Sequence, residues 1–197
     1  NTLTTPATLY SIDLATKEVL EFSKRNEIMQ AKVSDLNFYS QRDPSWFKDQ
    51  LGGCAKQTIG SAGCAITSMA MVLSDTGFVS SASDLNDLLS RNDNQGYVFG
   101  CDIKWYAIPT LVKGLRMKGA YDNKNGMERI DYELELGNYV IMGFRKVPQT
   151  GLQHWVVITG KKDGKFLLKD PWELSYKEKT LDDFGGSFDY LVAYEKE

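Results

Sequence analysis

Histidine is the scarcest reactive residue in this 197-residue chain: there is one, His154, beside three cysteines, Cys54, Cys64 and Cys101. A single imidazole and the lack of any Cys-x-x-Cys pair leave no ordinary zinc set, so no metal or cofactor is expected. An odd cysteine count leaves at least one thiol outside any intramolecular disulfide. Positive charge is not in excess either, since 23 Lys and Arg against 26 Asp and Glu give a net charge of −3. That balance lacks the basic footprint a phosphate backbone requires, which argues against a nucleic-acid partner. No apolar run approaches the roughly 18 residues of a membrane span. With 5 Pro, 17 Gly and 42% hydrophobic residues, the chain is neither collagen-like, low-complexity nor disordered. It begins at Asn1 rather than Met, so any export signal is expected upstream.

What is present divides unevenly along the chain. Residues 1–35 read as an appendage, in which Asp13 caps a helix of about Leu14–Lys32 with Val19, Phe22 and Met29 on one packing face. Residues 36–197 read as the main domain. It opens with a Gly- and Ser-rich loop that runs into CAITSMAMVLSDTG. There Ile66, Met69, Ala70 and Leu73 share a helical face and Gly77 marks the stop. Ser83 is a cap for a helix over Asp84–Ser90, a further helix is expected around Ile103–Lys118 interrupted by Pro109, and another over Met127–Leu136. The last third changes period. Tyr139–Phe144, Trp155–Thr159, Phe166–Lys169 and Phe188–Tyr194 are short runs of β-branched and aromatic residues. Helices first and strands afterwards predict an α+β fold with an antiparallel sheet.

Four residues carry candidate chemistry. Cys64 falls in the first turn of a buried helix, where free N–H groups and the helix dipole favour a thiolate. The Gly-Ser-Ala-Gly approach is read as room for a substrate backbone; the plainer alternative makes Cys64 a small core residue. His154 is the only ordinary general base that titrates near neutrality, and it opens the strand-like run HWVVITG. Asp170 closes the partner strand of a hairpin whose turn is Asp163-Gly164, so it lies at the same end as His154. Pairing Lys162 with Phe166 across a three-residue loop turns both side chains to one face, whereas a two-residue loop turns them apart. An odd-length loop or a bulge is therefore predicted. Gln41 can donate to an oxyanion beside the Cys64 N–H, although local geometry does not bring the two together.

A nucleophile, a base and an orienting carboxylate in the order Cys, His, Asp make the sequence resemble a known family. It is similar to the bacteriocin-processing-peptidase-like cysteine peptidases (the peptidase C-thirty-nine-like family) of papain-like fold. The resemblance rests on YSQRDPSWF, TIGSAGCAITSMAMVLS, GLQHWVVITG and FLLKDPW and spans about Phe38 to Tyr194. It implies a helical part whose nucleophile helix packs on a C-terminal antiparallel sheet. It also implies Cys64 as nucleophile, His154 as base, Asp170 as orienter and Gln41 as oxyanion donor, with a peptide or protein as substrate. Its members lean bacterial and often secreted, which favours an extracellular or cell-surface setting.

Three functions fit these residues. The leading one is a thiol hydrolase that cleaves peptide or isopeptide amides through an acyl-enzyme. An acyltransferase or transamidase would use the same triad, and a catalytically silent module would bind peptide or cell-wall ligands on the same scaffold. Cys54 reads as an incidental loop thiol and Cys101 as a packed one, with a Cys54–Cys101 disulfide the lesser alternative. Trp46, Trp105, Trp155 and Trp172 read as core and cleft wall. Asp182-Asp183 reads as a solvated turn or cap, and the loop around Asn92–Asp93 lacks a calcium ligand spacing.

Overall fold

A computed structural model of the chain describes residues 16–21, 23, 24, 35–91 and 95–197. The helix predicted over Leu14–Lys32 lies largely outside them, as does Asn92–Asp93. Residues 16–21, 23 and 24 are helical and exposed; Val19, expected on the packing face, is 63% exposed.

Six strands form one antiparallel sheet: β3 (Leu115–Asp122), β4 (Tyr139–Phe144), β5 (His154–Lys162), β6 (Lys165–Lys169), β7 (Lys179–Thr180) and β8 (Tyr190–Lys196). Their order is β3-β8-β4-β5-β6-β7. A separate hairpin pairs β1 (Tyr97–Val98) with β2 (Asp102–Ile103). Alternation along each strand splits the core in two. Tyr139, Ile141, Trp155, Val157, Val192 and Tyr194 belong to one apolar cluster, which also holds the helices α2 (Cys64–Ser74) and α3 (Ala82–Ser90). Val140, Met142, Phe144, Val156, Ile158 and Leu191 belong to the other, with Ile130 and Leu134 of α5 (Gly126–Glu135). This is the α+β arrangement expected, with the Cys64 helix laid on the sheet.

α2 is buried from Ile66 to Leu73 on every side, as an almost wholly apolar helix must be. Its contact with β5 is also polar, since Ser68 Oγ donates to the Trp155 carbonyl at 3.1 Å. A one-turn helix, α1 (Ile59–Ala62), replaces the loop expected just before Cys64. Thr58 starts it with a reciprocal capping box to Ser61. The same stretch corrects the reading of its glycines. A Cβ at Gly60 would lie 2.6 Å from the Phe47 carbonyl oxygen and one at Gly63 only 2.4 Å from that of Ile59. These glycines serve close packing of the chain on itself rather than access for a substrate.

Two further expectations are overturned. Ile103–Lys118 is not a helix. Only α4 (Ile108–Leu111) is α-helical there, with Pro109 in its first turn. Gly114 then adopts φ +85°, a left-handed conformation that ends helical continuation, and β3 follows. Pairing along β8, from Leu115↔Lys196 to Asp122↔Tyr190, overrides the local helical preference. The short helix α3 starts at Ala82, with Ser81 rather than Ser83 as its cap.

The cysteines need a third correction. Cys54 and Cys101 form a disulfide, with Cα atoms 5.4 Å apart, and Cys64 alone is free. Their loops meet through backbone: Gly53 N donates to Gly100 O at 2.7 Å. Gly52 makes the approach possible, with φ +52° and a Cβ position only 2.4 Å from Gly100 O. Contact between two distant glycine turns is invisible to spacing along the chain.

Candidate active site

Cys64 is the first residue of α2, behind the Gly63 cap. Its backbone N–H is one of the first-turn donors that a helix leaves without a partner of its own. The residue is 9% exposed and lines a cleft of about 770 Å³ that also touches Gln41, His154 and Asp170. All four candidates therefore share one cavity, although they come from separate parts of the chain.

His154 opens β5 opposite Phe144 of β4. Its Nε2 lies 2.6 Å from Asp170 Oδ1. The remaining ring nitrogen, Nδ1, is the one left for the thiol, and the Cys64 side chain reaches the same imidazole. Burial works against protonation of this ring. The Asp170 carboxylate and then the Cys64 sulfur outweigh it, and the pKa is pushed up to about 9. Phe184 stacks on the imidazole at 6.0 Å and limits its contact with water.

The hairpin reaches this arrangement by the predicted device but not the predicted pairing. Lys162 pairs with Lys165, not Phe166, and both Asp163 and Gly164 have positive φ, a two-residue turn of the primed kind. The face is corrected further along. The register shifts between Ile158 and Gly160, so that Ile158 pairs with Leu168 and Val157 with Lys169. One extra residue on β5 returns Asp170 to the face of His154.

Asp170 is 3% exposed. Besides His154, its Oδ1 accepts from the Trp172 N–H at 2.9 Å, and its Oδ2 accepts from Lys179 Nζ at 2.7 Å. Burial alone would raise its pKa. The His154 hydrogen bond and charge, then Lys179 and the Trp172 N–H, hold it down to about 2.

Gln41 is 2% exposed. Its Nε2 donates to the Gly60 carbonyl at 3.1 Å, which fixes the sense of the amide. Its backbone N–H donates to Pro171 O at 2.8 Å. One residue thus ties the helical turn before Cys64 to the turn after Asp170. These two bonds close the long sequence gap that left Gln41 the weakest candidate on spacing alone.

A sequence profile of the Peptidase_C39 like family matches residues 33–195. The chain belongs to that family. Its members are hydrolases of the cysteine-peptidase type, in keeping with a cleft built around one free thiol. No curated protein matches the chain. Among solved structures it is similar to a candidate C39-like peptidase from Bacillus anthracis, at 17% identity and a TM-score of 0.49, over 83% of this chain and 96% of that one.

In this C39-like chain the cleft lining comes from distant parts of the sequence, and the Trp105 and Trp155 rings meet there at 4.9 Å. Leu51, Cys101, Ile103 and Trp105 line one part, and Trp155, Trp172 and Phe184 another. Three of the four tryptophans are thus cleft wall, and Trp172, at 43% exposure, stands at the rim. Asp183 is a cap, as expected: its Oδ2 accepts from the Thr180 N–H at 2.7 Å. Lys179 and Glu173 were not visible as site residues. Lys179 enters because β7 pairs with β6, placing it opposite Leu168, and a two-residue strand carries no periodic signal.

Proposed function

We propose that this protein is a cysteine peptidase or isopeptidase that works through a covalent acyl-enzyme, with Cys64 as nucleophile, His154 as acid and base, and Asp170 as orienter. The observation that carries this reading is the 2.6 Å contact of His154 Nε2 with Asp170 Oδ1, on a ring that Cys64 also reaches. An imidazolium beside the sulfur and the start of α2 both favour the thiolate. The thiolate attacks the scissile carbonyl and forms a tetrahedral intermediate. The Cys64 N–H and the second amide hydrogen of Gln41 supply donors to its oxyanion. His154 then gives its proton to the leaving amine, takes one from water, and the acyl-enzyme is hydrolysed. Asp170 holds the tautomer with Nε2–H throughout. No step calls for a metal.

The substrate on this reading is a peptide or protein chain that lies along the cleft between the Trp105 and Trp172 walls. The Cys54–Cys101 disulfide supports an oxidising setting outside the cytoplasm. Residues 36–197 act as the peptidase domain, with the preceding residues as an appendage to it.

Iodoacetamide labelling at about pH 6 tests the ion pair, since an ordinary thiol is almost wholly protonated there. Fast alkylation confined to Cys64 and lost in His154→Ala is the expected result. Labelling at the rate of an unactivated thiol in the unchanged protein would overturn the proposal and favour a silent binding module.

A further inference from the structure

The charges around the imidazole form a sequence of alternating sign that runs outward from the sulfur. Lys179 Nζ lies 2.7 Å from Asp170 Oδ2 and also 2.7 Å from Glu173 Oε1, and Lys177 Nζ lies 2.8 Å from Glu173 Oε2. Beyond the sulfur, the imidazole, carboxylate and ammonium are followed by a second carboxylate and a second ammonium. The Lys179 side chain is 22% exposed against 59% for an ordinary surface partner such as Arg116, so its charge is poorly screened from Asp170. It also sits 5.5 Å over the Phe184 ring, the same ring that stacks on His154. The titratable and charged groups around His154 are Cys64 of α2, Asp102 of β2, Asp170 after β6, Glu173 and Lys177 in the next loop, Lys179 of β7 and Asp183 of the turn that follows, of which all but Lys177 line the same cleft. Within this set, Lys179 is the cation that touches the triad carboxylate.

The chemistry makes this contact consequential. A bare, buried carboxylate strengthens the hold of the imidazole on its proton, yet the proposed reaction needs that proton delivered to a leaving amine. We infer that Lys179 is a positioning residue that neutralises Asp170, so that the carboxylate orients His154 without trapping its proton. Lys179 touches neither the thiol nor the scissile bond on this view. It acts through Asp170, and Glu173 holds its ammonium from the other side.

This inference rests on the proposed triad, but its test does not depend on turnover. His154 is the only imidazole in the chain, so its ring resonances report its titration directly. In the Cys64→Ala background, which removes the sulfur's charge, Lys179→Met is expected to move the His154 midpoint up by about one pH unit, a tenfold tighter hold on the proton. Lys179→Gln, which keeps a donor near Asp170 without charge, should do the same and serves if the Met variant does not fold. Lys179→Arg should leave the midpoint in place. With Cys64 present, Lys179→Gln should lower kcat for an amide by about tenfold, and by less for an activated ester of the same acyl group, whose leaving group needs no proton. An unmoved midpoint in folded Lys179→Gln, or equal losses for amide and ester, would overturn the inference. A moved midpoint in a chain that hydrolyses no amide would sink the peptidase reading and leave the charge relation standing.

Discussion

The two sides of the cleft are held by different physics. On the side of the proposed nucleophile, Cys64 is placed by short-range backbone devices: a capping box, two tightly packed glycines, and a helix start. A disulfide fastens the loop that leads to them. On the base side, His154 and Asp170 are placed by strand register and by charge. They share a face only because one extra residue interrupts β5, and His154, Lys179 and a backbone N–H hold the Asp170 pKa down against burial. A nucleophile can be positioned by its neighbours in the chain. The proposed base and orienter, one opening β5 and the other directly after β6, need the sheet to form first.

The largest effects should come from removing either side outright. Cys64→Ala and His154→Ala should each lower turnover by about 10⁴–10⁶-fold while near-ultraviolet circular dichroism shows the fold unchanged. Asp170→Asn should fall between these variants and the unchanged protein, because it damages orientation rather than bond making. If Cys64→Ala kept full activity, the contrast between the two sides would lose its chemical meaning.

Gln41 bridges the two sides, and Gln41→Ala should reduce kcat by about 10²–10³-fold, with fold retention checked in the same way. Replacing both Cys54 and Cys101 with Ser should act on stability instead. Closing a loop of 47 residues by sequence separation predicts a loss of about 2–4 kcal/mol in denaturant unfolding. The His154–Asp170 geometry should survive in the folded fraction.

The base side should reveal itself through pH. His154 binds its proton more tightly folded than unfolded, with a pKa of about 9 against an ordinary value of 6.5. Its stabilisation is therefore complete below about pH 6.5 and is lost as pH rises through 9. Asp170 has the opposite sign. Its pKa is about 2 against 3.8, so its contribution is present above pH 3.8 and is lost as pH falls through 2. Melting temperatures measured from pH 6 to 10 should fall in the unchanged protein and lose that dependence in His154→Ala. The smallest effect is expected at the bulge. Gly160 has φ +152° with open space around its Cβ position, so Gly160→Ala should cost about 1–3 kcal/mol through backbone strain alone, read by chemical denaturation.

Legibility in the sequence followed the same division. The Cys64 helix, the strands β4, β5, β6 and β8, the Asp163-Gly164 turn and the α5 helix could all be read from periodicity and turn chemistry, because each is a local pattern. Residues 115–118 misled although they alternate apolar and polar residues, because four residues are too few to separate a strand from the end of a helix, and what makes them a strand is β8 lying beside them. Lys179 gave no warning at all, for a two-residue strand is defined only by its partner.

The amino-acid order by itself singled out one thiol and one imidazole as candidates for a reactive pair, and set the first at the start of a helix and the second at the start of a strand. Composition and period suffice for that, since both are properties of neighbouring residues. Only the tertiary structure decided that Cys54 meets Cys101, that a bulge rather than a longer turn aligns Asp170 with His154, and that Lys179 sits against that carboxylate. Each of these contacts joins residues whose meeting depends on how the sheet closes, and the free energy that selects them is shared across the whole core.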